Sequence, residues 1–282
     1  MEGRAVIAVN EGGARPRLVF FHTWENEADH LRALGVALGP DQPLFGIEPP
    51  DPDGPLPVSV DGWIEHHRRH LAMLPVDGPY RLAGFSFGGV VALEIARQLR
   101  AEGSEVAWLG LIDTLRPKLN PKGAGRYTRY HLQEVLDLPE PSHRRAYVRH
   151  LVDGGARRTR RRVKSRARQI LAGLHLLQPR AAGAQMRPLK RSIWRSYLAY
   201  EARPYEGPVA LFPGRENQEA AAGDPSLRWS KYLRGGFEVT PLDGAHLELF
   251  APANIASMAA ALRASLPRAD HPRWATDCVP YG

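Results

Sequence analysis

The chain has 282 residues, 43% of them hydrophobic, which is enough for one large α/β domain or two small ones. No run approaches the ~18 consecutive apolar residues of a membrane span, the start Met1-Glu2-Gly3-Arg4 is too short and polar for a secretory signal, and the single cysteine, Cys278, excludes an intramolecular disulfide, so a cytoplasmic protein is expected. The formal net charge of +8 and a pI near 9.9 point to an acidic partner or substrate.

Taken in order, Leu18-Val19-Phe20-Phe21 reads as a buried strand ending at His22. Glu27 to Leu38 follows with apolar residues at helical spacing (Ala28, Leu31, Leu34, Leu38) and stops at Gly39-Pro40. Leu44-Phe45-Gly46-Ile47 is a second strand, and Glu48 to Pro57 is a Pro-rich loop. Ser59 or Asp61 can cap a helix that runs through Leu74. The third strand is Tyr80 to Ala83, a helix runs from about Phe87 to Arg100, and Val106 to Ile112 is the fourth strand, ending at Asp113. Between Leu115 and Tyr205 strands disappear while prolines and arginines multiply, which predicts a helical insertion, or lid, over about 115–205. Strand character resumes at Val209-Ala210-Leu211-Phe212, returns in Phe237-Glu238-Val239-Thr240, and gives way to a closing helix from Pro252 to Leu266. Residues 267–282 lack periodicity and read as a loose tail. Strands alternating with helices imply βαβ units and a mostly parallel central sheet, with functional groups at the C-terminal ends of its strands. One domain spanning 1–282, with the insertion, is the simplest organisation.

The chemistry is concentrated at Gly84-Phe85-Ser86-Phe87-Gly88-Gly89, where an apolar strand enters Gly-x-Ser-x-Gly and leaves as an Ala- and Leu-rich helix. That context is the one a nucleophile elbow requires. A serine hydroxyl is a weak nucleophile at neutral pH and needs a histidine to take its proton and an acid to orient the imidazole. His246, in Asp243-Gly244-Ala245-His246 between the last strand and the last helix, is the histidine candidate. Three acids fit by spacing: Asp113, Glu216 and Asp224.

Several separated stretches carry a closer likeness. Leu18 to His22, Gly39-Pro40-Asp41-Gln42-Pro43-Leu44-Phe45-Gly46-Ile47-Glu48-Pro49-Pro50, the elbow, Gly110-Leu111-Ile112-Asp113-Thr114, Arg203-Pro204-Tyr205-Glu206-Gly207-Pro208-Val209 and the Asp-Gly-Ala-His loop together resemble the thioesterase domains that end nonribosomal peptide and polyketide synthases. The resemblance implies an α/β-hydrolase fold and a serine thioesterase that releases an acyl or peptidyl chain from the phosphopantetheine arm of a carrier protein, by hydrolysis or cyclisation, with no cofactor of its own. It favours Asp113 as the acid, because the family commonly places it at the end of the strand after the elbow helix. It also implies oxyanion donors at the backbone amides of Phe87 and Trp24. Here the chain departs from the family, having His22-Thr23-Trp24-Glu25-Asn26 where small residues and glycines are usual. Trp24 and Glu25 would narrow or charge that side of the site. The alternatives carried beside this reading are a free-standing carboxylesterase and a non-catalytic binding module of the same fold.

Two further features need weighing. His66 and His70 lie four apart on one predicted helix, as two zinc ligands would, but no third ligand accompanies them, so no metal site is expected. Arg157 to Arg168 is the strongest charge run. By itself it reads as a solvated lid face, and the resemblance adds docking of an acidic carrier protein and its phosphate. No aromatic residues interleave it to stack bases, so nucleic acid is not expected as a partner. The chain carries no Asp-Ser-Leu carrier motif, so the carrier is expected on another polypeptide or another part of a synthase.

Overall fold

The structure, a computed structural model, describes residues 6–21, 27–51, 53–76, 78–116, 188–220, 224 and 226–266. Leu18–Phe21 forms strand β2 because both of its faces are covered. Leu18 and Phe20 pack into one apolar cluster and Val19 and Phe21 into another, all essentially without exposure. The same period-two division recurs in β4 (Tyr80–Phe85), β5 (Val106–Ile112) and β6 (Val209–Phe212), where Leu82, Leu109 and Leu211 face one side and Ala83, Trp108 and Phe212 the other. Each large apolar side chain buried this way contributes about 1.5–3 kcal/mol. The sheet is completed by β1 (Val6–Ala8), β3 (Leu44–Ile47) and β7 (Phe237–Val239) in the order β1-β3-β2-β4-β5-β6-β7. Every pairing is parallel except β1 with β3.

Helices cover both faces. On one lie α2 (Val60–Leu71), α3 (Phe87–Ala101) and α4 (Pro188–Ala199), and on the other α1 (Glu27–Leu38) and α6 (Pro252–Ser265). Ser59 caps α2, its Oγ accepting the Gly62 amide at 3.3 Å. The helix α3 is buried along most of its length, from Phe87 through Ala96, and Gly103 follows its C-terminus with φ 86°, a left-handed conformation that glycine adopts freely. The short α5 (Arg215–Ala220) follows β6.

The predicted strands all form, with β4 two residues longer than expected because Gly84 and Phe85 still pair with Leu111 and Ile112. Two elements were not anticipated: the edge strand β1, three residues partly exposed or exposed with no buried period, and α5, six residues in what reads as a loop. At the foot of the expected insertion α4 packs Ile193, Trp194 and Tyr197 into the core, and the Tyr197 hydroxyl donates to Leu115 O at 2.5 Å. Residues 117–187 of the insertion, with the Arg157 to Arg168 run, and the tail lie outside the described residues. No helix among the described residues is long and apolar enough to cross a membrane.

Candidate active site

The end of β4 is shaped by close packing. A Cβ on Gly84 would run into the carbonyl of Gly88, and one on Gly89 into the Thr114 side chain, so neither position accepts a larger residue without displacing its neighbour. Ser86, between β4 and α3, has φ 54° and ψ −120°, a conformation that costs a non-glycine residue roughly 1–3 kcal/mol. Two backbone bonds hold it there: its N–H donates to Ile112 O at 2.9 Å, and its carbonyl accepts the Gly89 amide at 3.1 Å. Ser86 is half-buried, at the N-terminus of α3, whose first amides have no carbonyl one turn back within the helix. Phe87, whose amide is the expected oxyanion donor, is itself buried, its ring meeting those of Trp63 and Tyr197 edge-on at 5.4 and 6.1 Å.

Asp113 sits one strand away, at the end of β5, also with a positive φ of 47°. Its N–H continues the sheet by donating to Phe212 O at 2.8 Å, and its side chain has no exposure. One carboxylate oxygen, Oδ1, accepts the Gly214 amide at 2.7 Å, and the other, Oδ2, accepts Nδ1–H of His246 at 2.5 Å. Asn217 Nδ2 donates to the Asp113 carbonyl at 3.3 Å. With Nδ1 donating to the carboxylate, the imidazole leaves Nε2 as the proton acceptor.

His246 opens a single 3-10 turn, His246–Glu248, and its side chain is 27% exposed. The loop carrying it is tied to the β6–α5 junction. Arg215 N–H donates to Gly244 O at 2.9 Å, Gln218 Nε2 donates to Pro213 O at 2.8 Å and Leu242 O at 3.3 Å, and His246 N–H donates to Glu216 Oε2 at 3.3 Å. The Phe85 ring stacks on the imidazole at 4.6 Å between centroids.

Of the three acids weighed from spacing, Asp113 reaches the His246 ring and Glu216 reaches only its backbone amide. Asp224 is engaged elsewhere, its Oδ1 accepting from the amide and hydroxyl of Ser226 at 3.0 and 2.5 Å. Trp24, the second expected oxyanion donor, lies outside the described residues. His66 and His70 have other partners: His66 Nε2 donates to Glu48 O at 3.0 Å, and His70 Nδ1 donates to His66 O at 2.9 Å. Burial, the main influence, together with neighbouring His70 and Arg69, lowers the His66 pKa below its ordinary 6.5, against the opposing Glu48 carbonyl. No group of three or more His, Cys, Asp or Glu able to hold a metal occurs among the described residues.

Sequence reasoning overlooked Gly214 and Asn217, which bond to Asp113, and Phe85, which stacks on the His246 imidazole. For Gly214 and Asn217 the only signal was their position just after a strand that ends beside Asp113.

A family model described as thioesterase domain matches residues 16–266. Enterobactin synthase component F of Escherichia coli (strain K12) is 37% identical over 115 residues, which is 40% of this chain and 9% of that protein. Malpibaldin synthetase of Mortierella alpina is 23% identical over 271 residues, 95% of this chain and 4% of that protein. The chain therefore spans less than a tenth of the length of these two relatives. Among solved structures, the NocB thioesterase domain from the nocardicin cluster, in covalent complex with a fluorophosphonate nocardicin G analog, is 25% identical with a TM-score of 0.59, covering 93% of this chain and 99% of that one. The mostly parallel sheet with helices on both faces is the α/β-hydrolase fold of those domains.

Proposed function

The chain belongs to the thioesterase domain family, and on that premise we propose that it releases an acyl or peptidyl chain from the phosphopantetheine arm of a carrier protein, with Ser86, His246 and Asp113 as the catalytic residues. The observation that supports this best is the 2.5 Å bond from His246 to a fully buried Asp113 on the strand beside the elbow. A buried carboxylate whose second oxygen is already satisfied by Gly214 favours one orientation and one tautomer of the imidazole.

In this reading His246 Nε2 takes the Ser86 hydroxyl proton as Oγ attacks the thioester carbonyl carbon. The carbonyl oxygen becomes an oxyanion, stabilised by the Phe87 amide at the N-terminus of α3 and by the amide of Trp24. The tetrahedral intermediate collapses, the carbon–sulfur bond breaks, and His246 returns the proton to the departing pantetheine thiolate. Water, or a hydroxyl or amine within the acyl chain, then gives a proton to His246 and attacks the acyl-Ser86 ester. The products are a free acid or a ring, and Ser86 regains its proton. The partner is the carrier protein, and the basic run Arg157 to Arg168 supplies positive charge for an acidic surface of that kind.

A fluorophosphonate probe tests the nucleophile: it should label the wild-type chain and leave Ser86→Ala unlabelled. Absence of labelling in folded wild-type protein would remove the catalytic reading in favour of a binding module. Comparing a carrier-bound acyl thioester with a simple ester of the same acyl group tests the substrate class. A higher kcat/KM for the simple ester would replace the carrier assignment with a carboxylesterase.

A further inference from the structure

Phe85 stands between the elbow's first glycine and Ser86, and its side chain belongs to the apolar cluster that also holds Leu242, Leu249 and Phe250, on either side of the histidine loop. It is 8% exposed, and its ring lies 4.6 Å from the imidazole of His246 with only 24° between their planes, so the face of one ring covers the face of the other. Phe85 is in turn fixed from behind: Phe250 meets it edge-on at 5.1 Å, and Phe250 is itself held by Phe20, edge-on at 6.3 Å, and by His30, stacked at 5.1 Å. The platform under the imidazole is thus part of the apolar core and not a loose surface contact.

We propose that Phe85 is a positioning residue for His246, holding the imidazole plane toward Ser86 and stabilising the imidazolium that forms when His246 carries a proton. The inference rests on the reading of Ser86 and His246 as nucleophile and base. Its physical basis is the negative face of the phenyl quadrupole, which attracts a cation more strongly than a neutral ring and does so best where water is excluded. Asp113 works in the ring plane through Nδ1, whereas Phe85 works on the ring face, so the two effects are separable.

Other charges face the same loop. Glu216, on α5, accepts the His246 amide, and Glu248, on the 3-10 turn, pairs with Arg215 of α5 at 3.6 Å, both members more than half exposed. His30, on α1, lies behind Phe250. Water screens the exposed Arg215–Glu248 pair, and substituting Phe85 leaves all of these charges in place.

The test uses the full chain and three substitutions. Phe85→Leu and Phe85→Met keep an apolar side chain of similar size without the π face, and Phe85→Tyr keeps the face. The His246 ring signals, assigned by comparison with His246→Gln, are followed by NMR across pH. Their midpoint should fall by about half to one pH unit in the Leu and Met variants and stay near wild type in Tyr. The acid limb of the kcat/KM profile should move the same way, with kcat reduced about three- to tenfold and KM unchanged. An unchanged midpoint in Leu and Met overturns the proposal, as does an equal fall in all three variants, which would assign the effect to packing. The NMR midpoint is read without turnover, so a failure of Ser86 labelling would be recognised separately from a failure of Phe85.

Discussion

Replacing Asp113 with Asn makes the sharpest test of the proposed mechanism, because the structure determines which way the new amide must point. Oδ1 accepts the Gly214 amide at 2.7 Å, in a pocket with no exposure, and that donor can be satisfied only by the Asn oxygen. The Asn NH2 must then occupy the place of Oδ2, 2.5 Å from His246 Nδ1, and it offers a proton where the carboxylate accepted one. His246 responds by accepting at Nδ1 and holding its own proton on Nε2, which leaves nothing to take the proton of Ser86. The fold loses little, since Asn retains the volume and the Gly214 bond, but the barrier rises by about 5 kcal/mol, roughly a 10⁴-fold loss of kcat. The assay is single-turnover acylation from a carrier-bound thioester, with circular dichroism and thermal melting to show that the variant is folded. Turnover within about tenfold of wild type in a folded Asp113→Asn would refute the tautomer argument. A large loss in Glu216→Gln alongside it would transfer the role of acid to Glu216.

The remaining expectations concern groups near and away from the site. Glu216→Ala removes the acceptor for the His246 amide and should lower kcat about two- to tenfold, while Glu216→Gln, which still accepts, should stay close to wild type; steady-state kinetics in which Gln falls as far as Ala would make charge, not the hydrogen bond, the contribution. His66 gives a pH dependence of stability. Because its pKa in the fold is lowered below 6.5, chiefly by burial, the unfolded chain takes up a proton that the fold refuses as pH drops below that value. This contribution to stability is therefore complete above pH 6.5 and is lost as pH falls through the lowered value. Denaturant unfolding at pH 7 and pH 5 should show a smaller acid penalty in His66→Gln than in wild type, and equal penalties would count against it.

How much was legible depended on burial. The strands β2 to β6 announce themselves because both faces are covered, so they read as unbroken apolar runs such as Leu18-Val19-Phe20-Phe21. The edge strand β1 pairs on one side only, with β3, and its three residues are partly exposed or exposed, leaving neither a run nor an alternation to detect. The helix α5 is short and polar, and it is defined by what it holds, since Gly214, Glu216, Asn217 and Gln218 send their bonds to Asp113 and the His246 loop. Spacing left Asp113, Glu216 and Asp224 in competition because chain order says nothing of which strand ends adjoin. The pairing of β4 with β5 and of β5 with β6 brings Ser86, Asp113 and Gly214 to the same edge of the sheet.

That adjacency also accounts for where the backbone is strained. Ser86 and Asp113 both have positive φ, at 54° and 47°, and each would relax into an ordinary extended or helical conformation if its strand ended freely. Neither strand does. The amide of Ser86 is bonded to Ile112, the residue before Asp113, and the amide of Asp113 is bonded to Phe212, two residues before Gly214. Three neighbouring strand ends therefore lock one another, and the roughly 1–3 kcal/mol of strain at each site is carried by the backbone bonds between them. The β6–α5 junction then binds both Asp113 and the histidine loop, so one segment sets the geometry between carboxylate and imidazole. The arrangement of Asp113 and His246 is thus built by the sheet ends and α5, which bond to both.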